Sequence, residues 1–252
     1  MFRRCFHVGI LSVLAATSAL AAGDGWGSVS GKILWKGDVP DAEVLNPKGA
    51  AVKDAKVCAA NVVYKDDLVV DKDSKGIAHI FIYLRRTPKQ IHPDLKAFDP
   101  TTVFDQKNCT FRPHTLLVRA GQSVEVLNSD PISHNTHTYA IRNGSANLII
   151  PGNTLQGKGT LFPMKSRESL PIQVKCDLHS WMQAYWLVLD HPYSAITQAD
   201  GTFEIKNLPV GTQEFRVWHE RVGYLERSLK VKVKDGETTE LKPMEYTIEA
   251  KD

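Results

Sequence analysis

The chain has 252 residues, with 31 Lys+Arg against 28 Asp+Glu and a formal charge of +3. That near balance leaves no basic stripe for nucleic acid and no strong anionic field. With 42% hydrophobic residues it can bury a sizeable core, and its length suggests more than one small module.

The N-terminus reads Met-Phe-Arg-Arg-Cys-Phe-His, then an apolar stretch from Val8, closing on Ala19-Leu20-Ala21-Ala22. A positive start, an apolar middle and a small-residue exit describe a secretory signal peptide over 1–22, too short for a spanning helix. An uncleaved interfacial helix is the alternative. Cleavage after Ala21 or Ala22 removes Cys5, Arg3 and Arg4 and no acid, leaving 29 basic against 28 acidic residues. The expected location is periplasmic or secreted, with no transmembrane segment after cleavage.

Downstream, strand signals recur between Gly, Pro and Asn-Gly turns without a convincing amphipathic helix, so the expected class is all-β. Residues 23–100 form an N-terminal β region, with strands at Gly27-Ser-Val-Ser-Gly-Lys-Ile33 and Ala78-His-Ile-Phe-Ile-Tyr-Leu84, and a Pro-rich connector over 85–100. Next comes Phe111-Arg-Pro113, then Gly121-Gln-Ser-Val-Glu-Val-Leu-Asn128, then His134-Asn135. The run Leu170-Pro-Ile-Gln-Val-Lys-Cys176 alternates apolar and polar positions, so a strand puts Cys176 on the face of Leu170, Ile172 and Val174. After Met182 an aromatic and branched run extends to His191-Pro192. Cys176, His179 and Met182 then lie on a tight loop between strands. A buried helix over 176–189, with Cys and Met as core filler, is the competing reading.

A Cys, a His and a Met three residues apart, with a second His at 134, supply the ligand set of a blue-copper site: two imidazoles, a thiolate and a weak thioether. The F-x-P segment, V-x-V strand, Asn and His-Asn pair, followed by C-x-x-H-x-x-M, resemble the cupredoxin family, especially plastocyanins and amicyanins, over about residues 103–190. The resemblance implies a Greek-key β-sandwich over 101–192 and one mononuclear copper bound by His134, Cys176, His179 and Met182. It also implies that Asn135 ties the two ligand loops together, and that electrons pass through an exposed edge of His179, with Trp181 in the apolar patch around it or packed under the loop.

His137 is the alternative first ligand. His114 reads as structural, and His79, His92, His191 and His219 have no partner at ligand spacing. A binuclear centre needs a second loop Cys, a multicopper oxidase needs H-x-H pairs, and structural zinc wants more ligands. A cysteine protease would need an oxyanion-hole motif, and none accompanies Cys176. If Cys176 binds copper, Cys58 and Cys109 remain, and an oxidising compartment favours their disulfide over two separate buried thiols.

The last segment, 193–252, carries Asp200-Gly201-Thr-Phe203-Glu-Ile205-Lys-Asn-Leu208-Pro209-Val-Gly211. It resembles the carboxypeptidase regulatory-like (transthyretin-like) β-sandwich, which implies a second small β module and little about chemistry. Residues 23–100 either add strands to the cupredoxin, the favoured arrangement, or complete this module as a discontinuous domain. The function expected is one-electron transfer by an exported blue-copper protein, without enzymatic activity of its own, serving a partner such as a cytochrome or dehydrogenase. The alternatives are a non-redox surface, binding or copper-carrying protein, or an accessory subunit of an oxidase.

Overall fold

The computed structural model describes residues 25–249; the signal-peptide reading falls outside them. The regular structure of the described residues is nearly all strand, with one short helix at Ala55–Cys58 and one 3-10 turn at Pro93–Leu95. None of its helices is long and apolar enough to cross a membrane.

Two sandwiches form. In the first, a five-stranded sheet runs in the order Ala146–Ile150, His134–Thr138, Ile172–Lys175, Gln183–Leu189, Thr115–Arg119. Facing it is a sheet ordered Thr160–Pro163, Ser123–Val126, Thr101–Lys107, Thr110–Arg112. The core between them centres on Trp186, whose ring stands edge-on to Phe104 at 5.0 Å and to Phe162 at 5.9 Å. Edge-on packing sets the positive rim of one ring against the negative face of the next.

The second sandwich mixes N- and C-terminal strands. Trp26–Trp35 runs antiparallel to Thr202–Pro209 and parallel to Thr238–Glu240 and Met244–Tyr246. Phe81–Leu84 lies between Ser194–Ile196 and Gly211–His219. Trp26–Trp35 and Phe81–Leu84 therefore pair with C-terminal strands, not with the first sandwich, opposite to the arrangement favoured from sequence, while Val44–Asn46 and Val63–Tyr64 pair with each other. Only the intervening segment goes the other way: Val52, Val57 and Cys58 pack on the first core, and Cys58 is disulfide-bonded to Cys109. The Asp200-Gly201 turn is constrained by a close approach. Gly201 has φ +79°, and a Cβ there would lie 2.2 Å from the Ile33 carbonyl oxygen, so only glycine fits.

From Ala184 the run after Met182 is apolar or aromatic because the strand Gln183–Leu189 is buried on both faces. Ala184, Trp186 and Val188 enter the first core. Tyr185 and Leu187 point the other way, onto Phe81, Tyr83 and Trp218 of the second sandwich. Period-two alternation divides one strand between two cores.

Buried histidines line this junction. His191 Nε2 is 3.1 Å from the Leu84 carbonyl oxygen, His79 Nδ1 is 3.2 Å from Thr115 Oγ1, and His219 Nδ1 accepts the Arg221 N–H. Burial holds His79 and His191 down at about 4 and His219 at about 3. The unfolded chain, with histidines near 6.5, binds more protons than the folded one as pH drops below that value, so stability falls from about pH 6.5 toward 4. His114 opposes the trend. Burial lowers it, but Glu220 outweighs burial and raises it, so its stabilisation is present in acid and fades as pH rises through its folded value. Against His114, and against His134, which Asp130 and Cys176 likewise raise, these three lowered histidines predict a net loss of about a few kcal/mol by pH 4. Urea unfolding midpoints between pH 7.5 and 4.5 measure this; an unchanged midpoint would contradict it.

Candidate metal centre

His134 opens the strand His134–Thr138, while Cys176 directly follows the strand Ile172–Lys175. Cross-strand pairing of Lys175 with His137 brings the two ends together. From Cys176 the chain makes a tight loop, in which Met182 N–H donates to the His179 carbonyl (2.9 Å) and Cys176 N–H to the Met182 carbonyl (3.3 Å), before the next strand starts at Gln183. The loop between strands holds, and the helical alternative for 176–189 does not.

Three donor atoms converge. His134 Nδ1 and His179 Nδ1 are 2.9 Å apart, and Cys176 Sγ lies 4.0 and 3.8 Å from them. The point equidistant from a triangle with these sides lies about 2.1 Å from each corner, close to ordinary metal–nitrogen and metal–sulfur bond lengths. Both histidines are 0% exposed and Cys176 is 1%. Met182 is buried in the same core.

The outer edges of both rings explain their inward aim. His134 Nε2 is 2.9 Å from Asp130 Oδ2, and His179 Nε2 is 3.0 Å from Asp54 Oδ2. A carboxylate only accepts, so each Nε2 carries the proton and each Nδ1 presents a lone pair. Two lone pairs and a sulfur facing one another in a dry pocket repel unless a cation, either a proton shared at Nδ1 or a metal ion, lies between them. The donor set therefore fits a soft, thiolate- and imidazole-binding metal, with the carboxylate–histidine arrangement common at metal sites.

The thiol is poised for this. Burial pushes the Cys176 thiol up, but its close contacts with the His134 and His179 rings and the hydrogen bond from the Asn135 N–H outweigh it, bringing the group down to about 6. Burial likewise opposes charge on His134, yet Asp130 and Cys176 together raise it. Asp130 stays low despite its own burial cost, because it accepts from His134 and from the Cys109 and Asn108 N–H groups.

Asn135 spans the two loops. Its Oδ1 accepts from Asp177 N (2.7 Å) and Leu178 N (3.1 Å), its backbone N–H reaches Cys176 Sγ at 3.5 Å, and its Nδ2 donates to Asn147 and Asp177. His137 stands apart from the donors. It stacks on Tyr139 with ring centroids 4.2 Å apart, and its Nδ1 is 3.1 Å from Asp177 Oδ2. The odd spacing from His134 puts it on the opposite strand face.

One feature departs from the sequence reading. The edge of His179 is not exposed, because Asp54, from the segment before the helix Ala55–Cys58, covers it. Of the two places expected for Trp181, it takes the packed one: its ring meets His179 at 5.3 Å and its Nε1–H donates to the Cys109 carbonyl at 3.1 Å. Asp54 and Asp130 were the residues sequence reasoning missed. Asp130, four residues before His134, was in reach of a local search; nothing local marks Asp54. A second grouping of Cys109, Asp130 and His134 is no metal site, since Cys109 is in the disulfide.

No family model matches the chain, and no curated protein does. Among solved structures, a Cu-containing nitrite reductase (NirK) from Thermus scotoductus is similar at 17% identity over 39% of this chain and 25% of that one, with a TM-score of 0.30. An amicyanin variant in its Cu(I) form is 21% identical over 37% of this chain and 87% of its own, with a TM-score of 0.29. Another amicyanin variant, in its reduced state, is 17% identical over 43% and 98%, with a TM-score of 0.31. The matched part spans about a quarter of the nitrite reductase. Likenesses this weak add nothing to the argument, and the reading of the site rests on its own donor atoms.

Proposed function

We propose that the chain is an exported protein with one mononuclear blue-copper site, held by His134, Cys176 and His179 with Met182 as the weak axial ligand, and that it works in one-electron transfer. The observation that carries this is the inward convergence of two lone-pair Nδ1 atoms and one low-pKa thiol, with both outer ring edges tied to carboxylates. Copper bound there would supply a one-electron couple, thiolate and thioether suiting Cu(I) and imidazole suiting Cu(II). The chain's own part is rigidity. Asp130 and Asp54 hold the Nε2 protons, Asn135 locks one ligand loop to the other, and full burial keeps water from the donors. Export agrees with the Cys58–Cys109 disulfide. The partner would be a redox protein such as a cytochrome or dehydrogenase.

The covered edge of His179 favours a second reading, a non-redox copper-carrying or binding protein, or an accessory subunit of an oxidase, in which the metal is kept rather than exchanged with a docked partner. Voltammetry of Met182 variants separates the two. Met182→Leu removes axial donation and should raise the potential; Met182→Gln supplies a harder oxygen and should lower it. A one-electron couple shifts about 59 mV per tenfold change in equilibrium constant, so modest effects are readable. Reversible waves moving in opposite directions support electron transfer at this site. Unchanged potentials in both variants would remove Met182 from it, and a copper-loaded protein without a reversible wave would favour carriage.

A further inference from the structure

The residue against the outer edge of His179 comes from far away in sequence. It lies between the strands Trp26–Trp35 and Phe81–Leu84 of the second sandwich, on a stretch whose Val52, Val57 and Cys58 pack on the first core. Asp54 sits at the N-terminus of the helix Ala55–Cys58 with φ 53° and ψ 37°, the left-handed region that non-glycine residues seldom adopt. An aspartate there would ordinarily cap its own helix, but this side chain makes no capping bond. Its carboxylate instead lies 3.0 Å from His179 Nε2. The backbone geometry is accounted for by where the side chain must go.

The segment is fastened on two sides of the same spot. Four residues after Asp54, Cys58 is bonded to Cys109. The Cys109 N–H donates to Asp130 Oδ2 (2.8 Å), the oxygen that also meets His134 Nε2, and the Cys109 carbonyl accepts from Trp181, which packs on His179. The disulfide thus joins the segment carrying one outer carboxylate to the loop that bonds the other. Val52 and Val57 pack on the core beneath, and Gly49 N–H donates to the Ala59 carbonyl (2.8 Å), closing the segment on itself.

We propose that Asp54 is a positioning residue for the metal centre: its strap, stapled by Cys58–Cys109, fixes His179 with the proton on Nε2 and the Nδ1 lone pair inward, and it shuts the imidazole edge off from solvent. The metal part of this rests on the copper reading above; the tautomer part does not. With the edge shut, a partner cannot touch His179 directly while the strap is in place.

The test uses Asp54→Gly, since glycine takes the left-handed backbone without strain and the variant keeps its fold. Asp54→Asn keeps an acceptor oxygen and also tolerates this conformation. Asp41→Ala is the control, because that exposed carboxylate bonds to Lys72 and lies away from the site. In metal-free protein, nitrogen NMR of His179 should show a single Nε2–H tautomer in the wild type, Asp54→Asn and Asp41→Ala, and a mixture in Asp54→Gly. Copper affinity, measured against a competing chelator, should fall by about 10–100-fold in Asp54→Gly, the usual cost of losing such an outer partner, and recover in large part in Asp54→Asn. An Asp54→Gly protein with wild-type affinity and an unchanged tautomer overturns the proposal. If the wild type binds copper without colour, the blue-copper reading fails, and the tautomer result still decides the role of Asp54.

Discussion

Cys176→Ala should eliminate the intense visible band of the copper-loaded protein outright and weaken copper binding by roughly a hundredfold or more. The estimate takes structural zinc as a scale, at about 10–16 kcal/mol shared among four ligands, so that one strong ligand is worth about two orders of magnitude. The band arises from the thiolate, and Cys176 is the free cysteine among the described residues. His134→Ala should abolish or strongly shift the band, because His134 Nδ1 is one corner of the donor triangle. His137→Ala should leave it in place, since that ring stacks on Tyr139 at the surface and bonds Asp177. The three variants are compared by visible absorption after loading with one equivalent of copper. A band lost in His137→Ala but kept in His134→Ala would exchange the roles of the two residues.

The disulfide carries the second large effect. Cys58 and Cys109 are 51 residues apart in sequence, and both are essentially fully buried. Cross-linking a loop of that length restrains the unfolded chain by about 4 kcal/mol in the chain-entropy account. The double variant Cys58→Ala/Cys109→Ala should lose about that much, lowering the melting temperature by roughly 10 °C for a chain of this size. Alanine is the better replacement, because serine would bury two hydroxyls. The damage should also be local. Hydrogen exchange should rise first over residues 47–62, where the strap loses its staple, before the sandwich strands are affected. A loss below about 1 kcal/mol, or exchange rising equally everywhere, would contradict this role.

The parts of the fold legible in sequence were those governed by local periodicity. Alternation before Cys176 marked a strand, and the tight spacing of Cys176, His179 and Met182 marked a loop. The preference for His134 over His137 came from the His-Asn pairing, although strand parity argues the same way: Thr136 and Thr138 share the buried face of His134, and His137 is on the other. Strand partnership over long sequence distances was not legible. Trp26–Trp35 could have joined either sandwich by its alternation alone; Gly27-Ser-Val-Ser-Gly-Lys-Ile33 resembles the opening strand of the C-terminal module, but what decides is the pairing with Thr202–Pro209. The closed edge of His179 was hidden for the same reason. Resemblance pointed to an open ring, and a single aspartate far upstream in the chain covers it.

The visible and electron paramagnetic resonance spectra of the wild-type protein, loaded with one equivalent of Cu(II) and then treated with ascorbate, test the central claim most directly. The donor set predicts an intense thiolate-to-copper band that vanishes on reduction and returns on reoxidation, with one copper per chain. A protein that binds one equivalent of copper tightly and stays colourless in the oxidised state would contradict it.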